Sequence, residues 1–271
     1  MTSVRRIYID SRLRSSGTDS DFTYDLPRSI EVPDNTIAFV DSILVPNVWT
    51  TLHDQNNRLY VSETVGSSTT EHTYLLPEAN YTGQALANTL QSTLNTNKTL
   101  STNYTVLYEE QIGKLTISNP TPDFIIMTRD ALVGTSWNGG APLTIRDVRD
   151  CNDVIGNTAG SSSVVAGVLQ CAGFVDLIPY KNLFLCSSTF GNLGQVLGPV
   201  GQGDIIRRVA VTAPFGNLIY DAHSTSADYI DVSLTQISQM RWRLTDEKGA
   251  AVSLKNHGIS FSICFMEKSI V

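Results

Sequence analysis

The chain reads as an all-β protein with one or two helices, built as an antiparallel β-sandwich: a single jelly roll carrying an inserted α+β segment. Three observations predict this. Short stretches of period-2 alternation, bounded by turn residues, recur along most of the 271 residues. A single stretch has the spacing of an amphipathic helix. The composition, 41% hydrophobic but only 17% charged and rich in Ser, Thr, Asn and Gly, suits many short strands and polar turns better than a helical enzyme. A sandwich of about eight strands with long crossovers is a jelly roll.

The elements follow in order. Residues 4–9 (VRRIYI) form a short strand, and SRLRSSGTDSD a polar loop. Phe22, Tyr24 and Leu26 alternate with Thr23 and Asp25, and Pro27 is expected to stop that strand. Residues 36–45 are apolar on both faces apart from Asp41 and Ser42, which suggests a central position between two layers. Residues 58–63 make another strand, and the Gly/Ser/Thr-rich 66–73 a linker. Thr82 then caps a helix whose Leu86, Leu90 and Leu94, with Ala85 and Ala87, form a narrow apolar stripe. Ala85 stands where a capping box needs Glu.

Residues 104–108 and 114–118 flank EEQIG as a hairpin, with Gly113 at a bulge or left-handed position, and 124–127 add a strand. Residues 129–163 contain Trp137, the pair Gly139 and Gly140, the charged run Arg146, Asp147, Arg149 and Asp150, and GNTAGSSS. They read as long loops with room for a short helix. Strand rhythm returns at 173–178, 183–187, 205–212, 217–220 and 229–234. The last two strands are the clearest. Met240, Trp242 and Leu244 alternate with Arg241 and Arg243, and Ile259, Phe261, Ile263 and Phe265 with Ser260, Ser262 and Cys264. With Gly249 and Gly258 between them, they are expected to pair as a closing hairpin through a long loop. The resulting organisation is a jelly roll over 1–65 and 164–271 and an insertion, helix plus hairpin, over 66–163.

A formal net charge of −7 argues against general nucleic-acid binding, which needs phosphate neutralisation. The local exception is Arg5, Arg6, Arg12 and Arg14, offset only by Asp10. These are either a solvated first strand and turn or a basic arm touching an acidic neighbour or a packaged genome. MTSVRRIYID shows no apolar leader, and no stretch approaches the ~18 apolar residues of a membrane helix. Cys151, Cys171, Cys186 and Cys264 lack CxxC spacing. A reduced protein made in the cytosol is the simplest case, with Cys186 and Cys264 as small core residues.

No catalytic, cofactor or metal site is expected. His53, His72, His223 and His257 are scattered beside polar turn residues and read as surface imidazoles. No G-x-S-x-G elbow occurs, and GPVGQG at 198–203 lacks the Lys-Ser/Thr of a phosphate loop and precedes a strand. Asp19/Asp21, Glu109/Glu110 and Asp147/Asp150/Asp153 could serve glycoside hydrolysis, yet each group lies in a turn. Asp19 and Asp21 lack the rest of a calcium loop. Trp242 belongs to the core, whereas Trp49 or Trp137 could be exposed contacts for a glycan or protein.

The order IDSR, DFTYDLP and ILVPN, then NYTGQALANTLQSTLN followed by YTVLYEEQIGKLTIS, and finally RWRLTDEKGAAVSLKNHGISFSICF, resembles the vertex (penton, minor capsid) proteins of virophages, Polinton-like viruses and related double-stranded DNA viruses. The resemblance covers most of the chain and is weakest at 129–163. It implies a single jelly roll, often with an inserted domain, present as a homopentamer at each icosahedral fivefold axis. The surrounding capsomers are built from a double-jelly-roll major capsid protein. It also implies residence in the virion at capsid vertices, synthesis in the host cytoplasm or viral factory, contacts with other minor capsid proteins, and no enzymatic activity, cofactor or membrane insertion. Within it, Arg5, Arg6, Arg12 and Arg14 become a capsid-contact arm facing DNA or an inner capsid layer. The alternative is a receptor- or glycan-binding jelly-roll module of a virion, and a third class is an enzyme such as a glycosidase.

Overall fold

The computed structural model describes residues 4–121, 123–145, 147–157, 167–190, 196–199, 201–232 and 236–267. Strands β1 (Val4–Asp10), β2 (Ser16–Gly17), β3 (Asp21–Glu31) and β4 (Thr36–Pro46) open the chain. Strands β5 (Arg58–Val65), β6 (Ser68–Leu75), β7 (Thr105–Glu109), β8 (Lys114–Ser118), β9 (Phe124–Ile126) and β10 (Val168–Gln170) follow, interleaved with helices α1 (Gly83–Leu94), α2 (Arg129–Leu132) and α3 (Asn152–Ile155). The chain continues with β11 (Asn182–Cys186), β12 (Ile205–Ala210), β13 (Leu218–Asp221), β14 (Ile230–Val232), β15 (Gln236–Thr245) and β16 (Ser260–Glu267). Two units result, residues 1–49 with 180–271, and residues 50–179. The changeovers therefore fall at 49/50 and 179/180 rather than at the expected 65/66 and 163/164. The reason is pairing: β5 bonds to β6 and β9, and β10 to β8, all inside the insertion.

The first unit holds two five-stranded antiparallel sheets. One runs β1-β16-β4, with β13 and β14 both against the far edge of β4; the other runs β12-β11-β15-β3-β2. Apart from the steps β2 to β3, β11 to β12 and β13 to β14, successive strands of this unit cross from sheet to sheet, which is jelly-roll connectivity. Inward side chains of both sheets, among them Ile9, Phe22, Ile43, Leu185, Val209, Trp242 and Phe261, make one core.

Two expectations are corrected here. The closing strands do not form a hairpin: β15 pairs with β3 and β11, and β16 with β1 and β4. They face one another across the core, where the rings of Trp242 and Phe261 meet edge to face at 4.7 Å. Alternation marks one buried face and does not say whether the next strand lies beside it or opposite it. Nor does Pro27 stop β3. Asp25 pairs with Gln239 and Ile30 with Ile237, so residues 26–29 bulge opposite Ser238 and Pro27 needs no ladder bond.

In the second unit, sheets β10-β8-β7 and β6-β5-β9 share a core with α1. Thr82 caps α1 through its hydroxyl, which accepts from the Ala85 N–H at 3.2 Å, and Leu86, Leu90 and Leu94 are buried. The expected linker at 66–73 is instead half of a hairpin, with Val65 opposite Ser68 across a two-residue turn and Gly66 at φ 64°. Its Ser and Thr residues show no apolar alternation because β6 is an edge strand with one polar, exposed flank. The outer face of β5 and β6 is covered by the next segment, where Tyr60, Leu132, Trp137 and Val148 pack together.

Residues 173–178 form no strand: Gly173, Val175 and Asp176 donate their N–H groups to Gly156, Gly113 and Val154 instead. Gly156 is required there, since at φ 76° an added Cβ would sit 2.5 Å from the Gly173 carbonyl oxygen. Arg146, Val200 and the 158–163 part of GNTAGSSS lie outside the described residues, as do 233–234 of the strand expected at 229–234.

Candidate functional site

The N-terminal arginines sit on a folded strand and turn. β1 pairs with β16 over its full length, Val4 with Met266 to Asp10 with Ser260, and Ile9 points into the core. A 3-10 turn (Ser11–Leu13) follows, capped by Asp10, whose carboxylate accepts from the Arg12 N–H at 2.9 Å. The Arg12 guanidinium also grips Asp10, at 2.5 Å, and this hydrogen bond holds the Asp10 carboxyl below the usual aspartate range. Arg14 bonds Asp19 at 2.9 Å and the carbonyls of Ser11 and Gly17. Arg5 donates to the Glu31 carbonyl at 3.0 Å, beside a cavity of about 60 Å³ lined also by Ile30, Val32, Phe265 and Glu267. Arg6 faces the other way, onto the outside of the sheet, and bonds Cys264 Sγ at 3.3 Å and Asp41 at 3.2 Å. Its guanidinium is pushed further toward the charged form, first by the Cys264 contact.

That outer face exposes several apolar side chains. Core-facing Ile9, Ile43 and Ile219 turn Tyr8, Leu44 and Tyr220 outward by alternation. Tyr220 lies opposite Leu44, Leu44 opposite Ser260, and Tyr8 opposite Ser262, which in turn lies opposite Ser42. Ser42 and Ser262 share a hydrogen bond of 3.1 Å. Leu218 and Val4 extend the exposed apolar surface at two corners, and the tilted ring pair of Phe39 and Tyr229 lies near a third.

Of the carboxylates considered for chemistry, only Asp150 and Asp153 are brought together, and a guanidinium stands between them. Asp19 pairs with Arg14, Asp21 with Arg241, and Asp150 and Asp153 share Arg129. Asp147 caps Thr144, and Glu109 accepts from Thr116. Trp49 and Trp137 are buried, at 4% and 8% exposed, so neither indole forms an open platform. Trp49 meets Tyr180 edge to face at 5.5 Å, and the Trp137 N–H donates to Thr73 at 2.9 Å. All four cysteines are buried and free, and burial pushes the Cys171 and Cys186 thiols up to about 12 and about 11. Among the described residues, no group of three or more His, Cys, Asp or Glu could hold a metal ion, and no helix is long and apolar enough to cross a membrane.

Two histidines depart from the surface positions expected of them. His53 is buried. His72 stacks on Tyr74 and approaches Glu63, which has no exposed surface. Glu63 also accepts from the Thr99 and Leu100 N–H groups at 2.5 and 3.1 Å and from the Tyr104 hydroxyl at 2.6 Å. The same His72 Nε2 reaches Glu63 (3.4 Å) and the Thr99 hydroxyl (2.7 Å). A relay would need acid and hydroxyl on opposite ring nitrogens, so this cluster ties a loop down rather than activating Thr99. Sequence gave no signal for it, because Glu63 is an ordinary polar position in an alternating strand.

No protein-family model matches the chain, and no curated protein matches it. Among solved structures, the chain is similar to the crystal structure of the selenomethionine-labelled mavirus penton protein. That match covers 99% of this chain and 98% of the other, with 12% identity and a TM-score of 0.43.

Proposed function

We propose that the chain is a structural capsid protein, forming the pentameric vertex capsomer of an icosahedral double-stranded DNA virus and residing in the virion. The observation that carries this reading is the jelly-roll connectivity, interrupted between β4 and β11 by an α+β unit. It joins a sequence pattern that resembles vertex proteins along most of its length. A roll of this kind is a stiff two-layer wedge with loops at both ends, suited to a ring in which each copy offers different surfaces to its two neighbours. Such a role rests on the shape of the flanks and needs no reacting group. The partners are then other copies of the chain and a double-jelly-roll major capsid protein. Of the four arginines of the expected capsid-contact arm, Arg5, Arg12 and Arg14 lie toward DNA or an inner layer, while Arg6 turns to the outside of the sheet and pairs with Asp41.

Coexpression with candidate double-jelly-roll major capsid proteins, followed by imaging of the particles, tests this. The expected result is closed icosahedral particles with this protein at the fivefold positions. Particles that close without it, together with a purified protein that never forms a five-copy species, would overturn the reading. A receptor- or glycan-binding module remains the alternative, but the exposed indole platform that would favour it is not built from Trp49 or Trp137.

A further inference from the structure

The outer face of the sheet formed by β1, β16, β4 and β13 carries an inference that rests on the ring reading and gives it a surface. We propose that one copy of this chain meets the next through this face, with Tyr8 and Tyr220 as its anchors.

Four observations support it. The first is contrast between the two sheets. Outward positions of the opposite sheet carry Asp21, Thr23, Asp25, Arg208, Gln239 and Arg241, and the apolar Phe184 and Cys186 among them are buried, so what water reaches there is polar. On this sheet Tyr8 is 71% exposed, Tyr220 63%, Leu218 62% and Val4 55%. The second is area. At ~200 Å² for a ring residue, the exposed apolar side chains offer on the order of 500 Å². That is near the upper end for the largest patch on a monomer and most of the ~800 Å² each partner gives a standard interface.

The third is relief. Tyr8 and Tyr220 stand on strands three spacings apart, roughly 14 Å, with Ser42, Ser260 and Ser262 between them. Two tall aromatics over a floor of serines, with Leu44 beside Tyr220, make a shallow trough that a neighbour's loop or strand edge can enter. Tyrosine is also the side chain most often found as a rigid interface anchor.

The fourth is charge, and it argues for a second copy. A chain of net charge −7 repels itself, so copies associate where charge is locally cancelled. On this face Arg6 is paired with Asp41, and Asp10 at the rim with Arg12. Asp231 on β14 is exposed at its edge. The charges of Arg6, Asp41, Asp10 and Arg12 are cancelled in pairs, so the face repels a like-charged neighbour little.

The test uses the full chain. Native mass and sedimentation are measured over a concentration series for the wild type, Tyr8→Glu, Tyr220→Glu and the double variant, with thermal melts alongside. Tyr8→Ser and Tyr220→Ser serve if a glutamate variant fails to fold. A five-copy wild type that falls to monomer in the double variant, with association weakened at least about tenfold by each single change and melts unaltered, is the expected result. A pentamer that survives the double variant overturns the face and leaves the ring reading standing. A wild-type oligomer of another number that the same variants disperse keeps the face and overturns the ring. A wild type that stays monomeric at every concentration, and is absent from coexpressed particles, overturns both.

Discussion

Arg207 shows how much one side chain can hold. It sits on β12 opposite core-facing Leu185, with 4% of its side chain exposed, and reaches across to the other sheet. There its guanidinium bonds both carboxylate oxygens of Asp221, at 2.8 and 3.1 Å, as well as Asp228 and the His223 carbonyl. Replacing Arg207 with Met strands these carboxylates and is expected to cost about 3–5 kcal/mol, with part recovered on adding Asp221→Leu, both read by denaturant unfolding. Burial is the largest influence on Asp221 and pushes its carboxyl up, but the Arg207 and His223 contacts together bring it below the ordinary aspartate value. A lowered carboxyl contributes stability above the unfolded value, about 3.9, and that contribution is lost as pH falls below it. The melting temperatures of wild type and Asp221→Asn should therefore differ at neutral pH and converge toward pH 2–3. This clamp was not legible in IIRRVA. A bulge between Leu185 and Cys186 buries Ile205, Ile206 and Arg207 in succession, which breaks the alternation that would have separated Arg207 from Arg208.

At the scale of elements, β1 is a working strand of the roll, and this changes how its arginines must be tested. Deleting residues 1–16 removes Ile9 from the core and exposes an edge of the central strand β16. The truncated protein is expected to lose its cooperative melt, so failure to assemble would say nothing about charge. Arg5→Gln, Arg12→Gln and Arg14→Gln break exposed or half-exposed contacts that solvent screens, and should leave the melt nearly unchanged. Incorporation into coexpressed particles then reads the charge alone, and full incorporation by the triple variant counts against a capsid-contact role. Most elements were legible where a local rule decides them. Leu86, Leu90 and Leu94 announced α1, and Gly113 at φ 63° took the left-handed one of its two expected conformations. The apolar run of β4 suggested a place between two layers, but β4 is central only within its sheet, and its outer face, with Leu44, is open. Partners were not legible. β6 is specified by its register with β5 rather than by its own residues, and β15 and β16 carry the same alternation a hairpin would.

For the whole molecule, the insertion leaves and rejoins the roll at one place. Trp49, where the first unit breaks off, packs its ring against Tyr180, where it resumes. A short Gly/Ser bridge in place of residues 50–179 should therefore leave a roll that still melts cooperatively, and residues 50–179 alone should fold around their own core. Circular dichroism and melting of the two pieces check this, and a bridged roll without a transition would count against it. Sequence alone suggested an insertion over 66–163 but left β5 with the roll, cut off from its partner β6, because a strand looks the same on either side of a boundary. The placement of β16 between β1 and β4 has a consequence for biosynthesis. While the polypeptide is still being translated, β1 has no partner until residues 260–267 emerge, on the order of 10–50 s later at ribosomal speeds. During that wait the nascent roll presents two open flanks where its finished sheet is sealed, so its yield in cells should depend on chaperones that shield unpaired strands.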